Sequence, residues 1–391
     1  YTYVDLILPD GGRVHYTRIS PGTGWADAVF EHTSSPTAFF KSRISFNGNG
    51  WNLDLKDGSR ITFPPGDTAV RPAQAAATSI RDRYGNTITL TRNADKDLTR
   101  VTSPNGRWIE LTYDSSHRVT QAKDNIGRTV GYTYDGSGRL WKVTDPASGV
   151  TEYTYDGSHR MLTLKDARGI TFLTNQYDGN GRVSQQTQAD STTYQFAYSL
   201  DGMGRITQTD VTNPRTHVRR VTYNATSGYM TSDTEALGTA VARTTTLTRN
   251  SNNLVTRVTD GLSRHTDYAY DSAGNVTSVT RLASTGSAVT TSYTYDATFN
   301  LLTSITDPLS HTTSFTRDTQ GNVTAITDPL SHQTTLTYNT AGQPVTMTTS
   351  AGMTQFSYAG GDLGGGTDPL GRASTQFIDA AGRGGPQTNP E

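Results

Sequence analysis

The sequence contains no cysteine. Disulfide frameworks and thiolate metal sites are therefore excluded, and with them the small disulfide-stabilised secreted domains. Hydrophobic residues make up only 33% of the 391 residues, which is low for globular domains. No apolar run approaches the roughly 18 residues of a membrane span, and no segment shows sustained helical periodicity. The composition supports neither one large solid core nor a membrane span.

An excess of charge of one sign is also missing, because 34 Lys and Arg residues balance 35 Asp and Glu residues for a net charge of -1. A nucleic acid or an anionic membrane as partner usually requires a basic block, and none is present. Disordered chains combine low hydrophobicity with high net charge and few aromatic residues, whereas this chain has 20 tyrosines. We therefore expect a folded protein that does not bind nucleic acid.

What the sequence does contain is a repeat. Tyr-Thr-Tyr-Asp occurs at residues 132–135 and again at 153–156, and a Tyr-Asp pair or a substitute recurs along most of the chain, usually every 20 to 22 residues. Three longer steps, which reach Asn224, Asn250 and Asp296, predict longer loops on one rim. The second positions of the pairs are Asn93, Asp114, Asp135, Asp156, Asp178, Ser199, Asn224, Asn250, Asp271, Asp296, Asp318, Asn339 and Ala359.

Each repeat reads as strand, turn, strand, turn. Residues 150–155 (VTEYTY) are rich in β-branched and aromatic residues, Asp156 to His159 has turn chemistry, and residues 160–165 return as a second strand. His117 and His159 occupy the turn position that Gly138 and Gly181 fill in other repeats. The prediction is an all-β fold of tandem antiparallel hairpins, in which Tyr and Asp hold each hairpin in register. The residues assigned this structural role are Tyr113, Asp114, Tyr134, Asp135, Tyr155, Asp156, Tyr177, Asp178, Tyr270, Asp271, Tyr295 and Asp296.

Three segments are predicted along the chain. Residues 1–63 form an irregular β-hairpin lead-in, residues 64–80 a Pro- and Ala-rich linker, and residues 81–391 the repeat region, which ends inside a repeat. The chain opens with YTYVDLILPDG, which has the character of a strand, so we expect a piece of a longer protein.

The number of repeats limits how the sheet can be arranged. Thirteen repeats of two strands, at about 4.8 Å per strand, would make a sheet about 125 Å wide. Open twisted sheets rarely pass about ten strands without curling. Because apolar side chains are too few to fill the space inside, we expect a curled, spiral sheet around a hollow interior.

These residues resemble a known family. YDGSGRLWKVTDP (134–146), YDSAGNVTSVT (270–280) and DPLSHTTSFTRDTQGNVTAITDPLSH (307–332) resemble the YD repeats of Rhs proteins, over roughly residues 81–391. The resemblance implies a wall segment of a bacterial, secreted or cell-surface shell that encloses a C-terminal toxin, with the remainder of its own chain (a cap and the toxin) as partner. Teneurin shells are similar more distantly.

No residue is assigned a catalytic, cofactor-binding or metal-binding role. Asp307, Ser310 and His311 contain the letters of a hydrolase triad, but the same five-residue turn recurs at Asp328 to His332, which indicates a scaffold element. Asp-Gly-x-Gly turns such as 135–138 lack the later acidic ligands of calcium loops. Rhs proteins often cut themselves beside an Asp-Pro-x-Gly-Leu motif; Arg372 replaces the Leu here, so we expect no cleavage at Asp368.

Several alternatives stay open. The sheet could be an adhesin or a carbohydrate- or receptor-recognition surface, with loops at 199–224 and 282–288 as contact sites. Unpaired strand edges at both ends could pair between copies and form a fibre. The tyrosines could form a ligand platform or cross-strand ladders. The Arg that begins each second strand could lie over a neighbouring Tyr or pair with a turn Asp.

Overall fold

The computed structural model of the chain describes residues 1–35, 37–66 and 74–388. Throughout these residues the regular structure is β-strand, 35 strands in one sheet, and nothing is helical. Accordingly, this part of the chain holds no helix with the length and hydrophobicity to cross a membrane. The predicted all-β fold of tandem antiparallel hairpins is confirmed.

Most of the strands follow one another with short turns between them, and a longer connection lies at residues 19–28. The first seven strands are β1 (Tyr3–Ile7), β2 (Arg13–Arg18), β3 (Val29–Glu31), β4 (Arg43–Phe46), β5 (Trp51–Asp54), β6 (Arg60–Phe63) and β7 (Ser79–Arg81). The remaining strands are β8 (Thr87–Arg92), β9 (Leu98–Thr102), β10 (Trp108–Tyr113), β11 (Val119–Asp124), β12 (Thr129–Tyr134), β13 (Leu140–Thr144), β14 (Val150–Tyr155), β15 (Met161–Lys165), β16 (Thr171–Tyr177), β17 (Val183–Gln188), β18 (Thr193–Leu200), β19 (Ile206–Thr212), β20 (Val218–Tyr223), β21 (Met230–Glu235), β22 (Arg243–Arg249), β23 (Val255–Thr259), β24 (His265–Tyr270), β25 (Val276–Ala283), β26 (Val289–Tyr295), β27 (Leu302–Thr306), β28 (Thr312–Arg317), β29 (Val323–Thr327), β30 (Gln333–Tyr338), β31 (Pro344–Thr349), β32 (Gly352–Ala359), β33 (Asp362–Thr367), β34 (Ala373–Ile378) and β35 (Gly384–Thr388).

The chain divides into two compact units. The first contains residues 1–109, 268–280 and 288–391, and the second contains residues 110–267 and 281–287. Strand β7 includes the last two residues of the predicted linker and pairs with β6 and β8, while residues 67–73 of that linker lie outside the described residues. The three-segment division made from the sequence stays a prediction.

The buried core of the first unit lies in the lead-in. In β2, Val14 and Tyr16 alternate with exposed residues, as expected for a strand with one buried face. They pack with Phe30, Ile44 and Leu53. Burial raises the pKa of Tyr16 to about 12, and its hydroxyl lies 2.8 Å from Ser42 Oγ.

The repeats contain little buried apolar material. Within the described residues, the buried apolar side chains of the repeat region are Leu254 and Ala283. Strands such as β30 instead alternate between half-buried and exposed residues. The shortage of core-forming residues noted in the sequence therefore corresponds to a sheet with half-buried faces.

Two kinds of turn join the strands. A YD turn starts at a ladder position and closes one hairpin, as residues 135–139 do between β12 and β13; a connecting turn leads to the next hairpin, as residues 145–149 do. The fourth residue of both turns has positive φ, 79° at Gly138 and 68° at Ser148. His159 adopts φ of 63°, which confirms that His replaces Gly at this position.

A β-bulge follows the YD turn in many of the hairpins, and the sequence analysis missed it. In β12 and β13, Thr133 pairs with Lys142 but Tyr134 pairs with Leu140, so Trp141 is an extra residue. Threonine fills this position in several repeats, and its hydroxyl group donates a hydrogen bond to a backbone carbonyl group of the partner strand. The hydroxyl of Thr324, for example, lies 3.3 Å from the carbonyl oxygen of Thr316. The recurrent Thr two residues after the turn Arg or Asn was the available signal.

One ladder position was wrong. Ser199 lies inside β18 and pairs with Gln208, and the turn carboxylate comes from Asp201, two residues later. The extra residues of this repeat lengthen strands β18 and β19 instead of forming a long loop, so the contact loop expected at 199–224 is absent from these described residues. A longer loop does follow β21, at residues 236–242.

Candidate functional site

Each YD turn closes around its Asp. In the turn at Asp135, one carboxylate oxygen accepts the backbone N–H groups of Ser137 and Arg139 at 2.9 and 3.0 Å, and the other accepts Nε of Arg139 at 2.8 Å. The backbone N–H of Arg139 is the largest influence on the pKa of Asp135 and lowers it; burial opposes this, and the Arg139 side chain adds to the lowering, so that the pKa lies below its usual range. The same carboxylate contacts recur at Asp114, Asp156 and Asp178.

The Tyr before each Asp binds the preceding hairpin. The hydroxyl of Tyr134 donates to the carbonyl oxygen of Val119 at 2.7 Å, and Tyr295 donates to Val276 at 2.9 Å. Burial raises the pKa of both hydroxyls. Tyr155 and Tyr177 make the equivalent bond to Leu140 and Met161. Tyr113 and Tyr270 occupy the same last position of their strands, β10 and β24.

The Arg at the end of four such turns adopts both orientations considered from the sequence. The guanidinium of Arg139 lies 4.9 Å from the ring centre of Tyr155 while its Nε pairs with Asp135, and Nη1 donates to the carbonyl oxygen of Asp156 at 3.0 Å. Arg118 over Tyr134, Arg160 over Tyr177 and Arg182 over Tyr198 repeat the arrangement. One Arg thus ties its own turn to the Tyr and the turn of the next hairpin.

Two repeat tyrosines of β12 face aliphatic residues. Tyr132 lies opposite Val143 and Tyr134 opposite Leu140. A ladder of aromatic pairs is therefore not what sets the register of this hairpin. The hydroxyl bond and the Arg contact supply the specific connection instead.

Three repeats carry Arg in place of the Tyr. Arg317 donates from Nη2 to the carbonyl oxygen of Leu302 at 2.8 Å, the same acceptor position that the tyrosines use. Its Nη1 donates to the carbonyl oxygen of Gly321 at 2.9 Å. Arg92 and Arg249 make this second bond to Lys96 and Asn253.

Three connecting turns within residues 1–109 bind YD turns far along the chain, and this seam lies within the first unit. Lys56 Nζ donates to the carbonyl oxygen of Ala273 at 2.9 Å, across 217 residues of sequence. Arg83 Nε donates to Gln320, and Arg107 Nε to Ala380, at 3.0 and 3.1 Å. Each of these three turns thus uses a cationic side chain to bind a carbonyl group of a YD turn.

Each of these three connecting turns contacts two consecutive YD turns. The turn at 55–59 also accepts from Asn300, the turn at 82–86 reaches Ala341 through Asn86, and Arg107 forms an ion pair with Asp362. Tyr84 fits directly over Gly342, since a Cβ on this glycine would lie 2.5 Å from the ring. The rim formed by these connecting turns therefore packs against the rim formed by the later YD turns of the first unit.

The letters of a hydrolase triad form an ordinary connecting turn. His311 Nδ1 lies 3.0 Å from Asp307 Oδ2, and His332 repeats this contact with Asp328 at 2.8 Å. Ser310 is the fourth turn residue, with φ of 68°. The His therefore stands where Arg372 stands beside Asp368 in a third turn.

Two other features were considered as a catalytic or metal-binding site, and the described residues give little support for either. A cleft of about 320 Å³ in the second unit is lined by Asp233, Asp260, Arg243 and Arg264. Arg264 binds Asp260 and lowers its pKa to about 2, which suits an ion pair better than a general acid or base at neutral pH. The described residues hold no group of three His, Asp or Glu that could bind a metal ion.

The described geometry is that of a tandem-hairpin repeat sheet in which Tyr, Asp and Arg connect consecutive hairpins and the rims interlock. The RHS repeat family matches the chain at residues 113–149, 138–171, 177–211, 249–288, 295–331 and 317–355. The chain belongs to this family.

Solved structures share the fold. Crystal structures of TcdB2-TccC3 and of TcdB2-TccC3-Cdc42 match 97% of the chain with TM-scores of 0.58 and 0.56, at 15% and 16% identity. The present chain spans 22% of the length of those chains. Among curated proteins, none is significantly similar in sequence.

Proposed function

We propose that this chain is a non-enzymatic wall segment of an Rhs-type shell. In the intact protein the shell encloses a C-terminal toxin and helps deliver it in competition between bacteria, and the protein is secreted or displayed at the cell surface. The observation that carries the proposal is the seam, because a ribbon that binds its own rim more than 200 residues later has the contact that a closed wall requires.

The composition of the repeats supports the same role. A wall must be stable without a packed centre, and each hairpin here is fixed to its neighbour by the bond from Tyr134 or its equivalents and by the turn Asp. A similar solved structure exists with and without a hypervariable C-terminal region, as "TcdB2-TccC3 without hypervariable C-terminal region". This agrees with a constant wall and a variable enclosed part.

Protease protection tests the proposal in the longer protein that carries this segment. We expect the C-terminal part to resist digestion in the intact protein and to be digested when expressed without the wall. The Arg107→Ala variant, which removes the ion pair with Asp362, should increase digestion by opening the seam. Rapid digestion of the C-terminal part beside an intact wall would refute enclosure.

A recognition surface is the second candidate function. The loop at 284–288 is exposed along its length, and the exposed Trp141 side chain offers a flat ring on the sheet face. Binding of the isolated segment to a glycan array, abolished by Trp141→Ala or by shortening of the loop, would favour this function over the wall. Absence of binding to any glycan would exclude it for that ligand class.

A further inference from the structure

Three connecting turns of the first unit expose a leucine at the same position. Leu309, Leu330 and Leu370 are the third residues of their turns and are 76%, 77% and 76% exposed. Isolated exposed leucines are ordinary, but a row of them at equivalent positions along one rim resembles an interaction surface.

The seam shows what this turn position does when it is occupied. Tyr84 is the third residue of its connecting turn and covers Gly342, the fourth residue of a YD turn. Asn105 has the same place in the next turn and lies against Gly361. The third residue of a connecting turn therefore packs on a glycine of the opposite rim.

The fifth residue of the turn adds a polar contact in the seam. Asn86 donates to the carbonyl oxygen of Ala341, and Arg107 donates to that of Ala380. In the three leucine turns the fifth residues are His311, His332 and Arg372, all exposed side chains that can donate. The three leucine turns therefore repeat both parts of the seam contact, an exposed third residue and a fifth residue that can donate a hydrogen bond.

The complementary surface is also present on this chain. The YD turns at 135–139, 178–182 and 201–205 each have glycine as fourth residue, with φ of 79°, 81° and 78°. A Cβ at Gly204 would have no atom within 4 Å, whereas a Cβ at Gly138 or Gly181 would lie 2.9 or 3.6 Å from the side chain of Arg118 or Arg160, so Gly204 is the most open of the three. Turn 135–139 (Asp-Gly-Ser-Gly-Arg) closely matches turn 379–383 (Asp-Ala-Ala-Gly-Arg), which Arg107 binds in the seam.

We propose that the leucine rim, formed by Leu309, Leu330 and Leu370, binds the glycine-bearing YD rim of a second copy of this chain. The contact continues the seam by the same chemistry, with leucine over glycine and His or Arg donating to turn carbonyl groups. Because two different rims meet, the contact is head-to-tail and can repeat from copy to copy. This inference goes beyond the wall function and does not require an enclosed toxin.

Sedimentation of the whole chain over a range of concentrations tests the proposal. We expect concentration-dependent association that the triple variant Leu309→Ser, Leu330→Ser, Leu370→Ser weakens by about tenfold or more. Trp141→Ser is the matched control, because it removes an exposed apolar side chain from the sheet face and leaves both rims unchanged. A chain that is monomeric at all concentrations, or a triple variant that associates like the native chain, would overturn the proposal.

Cross-linking separates rim contact from pairing of strand edges. The chain has no cysteine, so single substitutions introduce unique thiols. A mixture of Leu330→Cys and Asn180→Cys chains should form mixed disulfide dimers, whereas Leu330→Cys with Trp141→Cys should not. If association persists in sedimentation without the first cross-link, edge pairing explains it and the rim proposal fails.

Discussion

The hydroxyl of Tyr155 donates to the carbonyl oxygen of Leu140, 15 residues earlier, at 2.7 Å. This bond crosses from one hairpin to the preceding one, beside the bulge at Trp141. A Tyr155→Phe substitution leaves that carbonyl group without its donor and should reduce the free energy of unfolding by about 1 kcal/mol. Urea unfolding followed by tyrosine fluorescence measures the effect.

Tyr153→Phe is the control for this experiment. Tyr153 lies two residues earlier on the same strand and pairs with Leu164, and its hydroxyl has no hydrogen bond within the described residues. Equal losses in the two variants would show that the hydroxyl bond is not what connects the hairpins.

The seam should open when Arg107 is shortened. Arg107→Ala removes the donor to Ala380 and the ion pair with Asp362. Hydrogen exchange should then accelerate in the turns at 359–362 and 379–383, while exchange in the hairpins of the second unit stays unchanged. Arg168→Ala, which removes an exposed Arg paired only within its own turn, is the control. Unchanged exchange in the Arg107 variant would contradict the role of the seam.

Two adjacent glycines of β33 should respond differently to alanine. A Cβ on Gly365 would lie 2.5 Å from the carbonyl oxygen of Ser374, whereas one on Gly364 would meet nothing closer than 3.6 Å. Gly365→Ala should therefore lower stability by about 1–3 kcal/mol through overpacking. Gly364→Ala should be close to neutral, as thermal unfolding of both variants would show. Equal thermal unfolding midpoints in the two variants would mean that strand β33 can move to accommodate the new Cβ without loss of stability.

Stability should fall in acid. The pKa of Asp260 is lowered to about 2 by Arg264, and that of an Asp in an unfolded chain is about 3.9. Because the folded state has the lower pKa, the unfolded chain binds more protons between about pH 4 and pH 2. The contribution of this pair is present above pH 4 and is lost as the pH falls through this window.

Other turn carboxylates act in the same direction, since the pKa values of Asp114, Asp135 and Asp156 are also lowered. Urea midpoints measured from pH 7 to pH 2.5 should be level at first and drop below about pH 4. Asp260→Asn should show a smaller drop than the native chain. A midpoint that rises in acid would contradict the assignment of these ion pairs.

The local structure of the repeats could be predicted from the sequence. Strand β14 has the predicted bounds, and the positive φ of His159 follows from its alignment with Gly181. Both depend on residues a few positions apart, where turn chemistry and alternation decide the conformation. The position of the turn at Asp201 instead of Ser199 was not predicted, because two extra residues keep the alternation of the strand and move only the turn.

The seam could not be predicted. Lys56 and Ala273 are 217 residues apart, and no local pattern states which turn of one rim will meet which turn of the other. That pairing depends on how far the sheet curls per hairpin, a property summed over many strands. The Tyr and Asp residues assigned from the sequence make contacts within and between adjacent hairpins. The seam cations Lys56, Arg83 and Arg107 were not singled out.

Arg317 stands where other repeats have Tyr and still donates to Leu302. What the position demands is a long side chain with a donor at its tip, and two chemically different residues meet that demand. Individual copies of the repeat can consequently drift in sequence while successive hairpins keep the same spacing. Such degeneracy lets a long array vary in composition from copy to copy without any single substitution interrupting it.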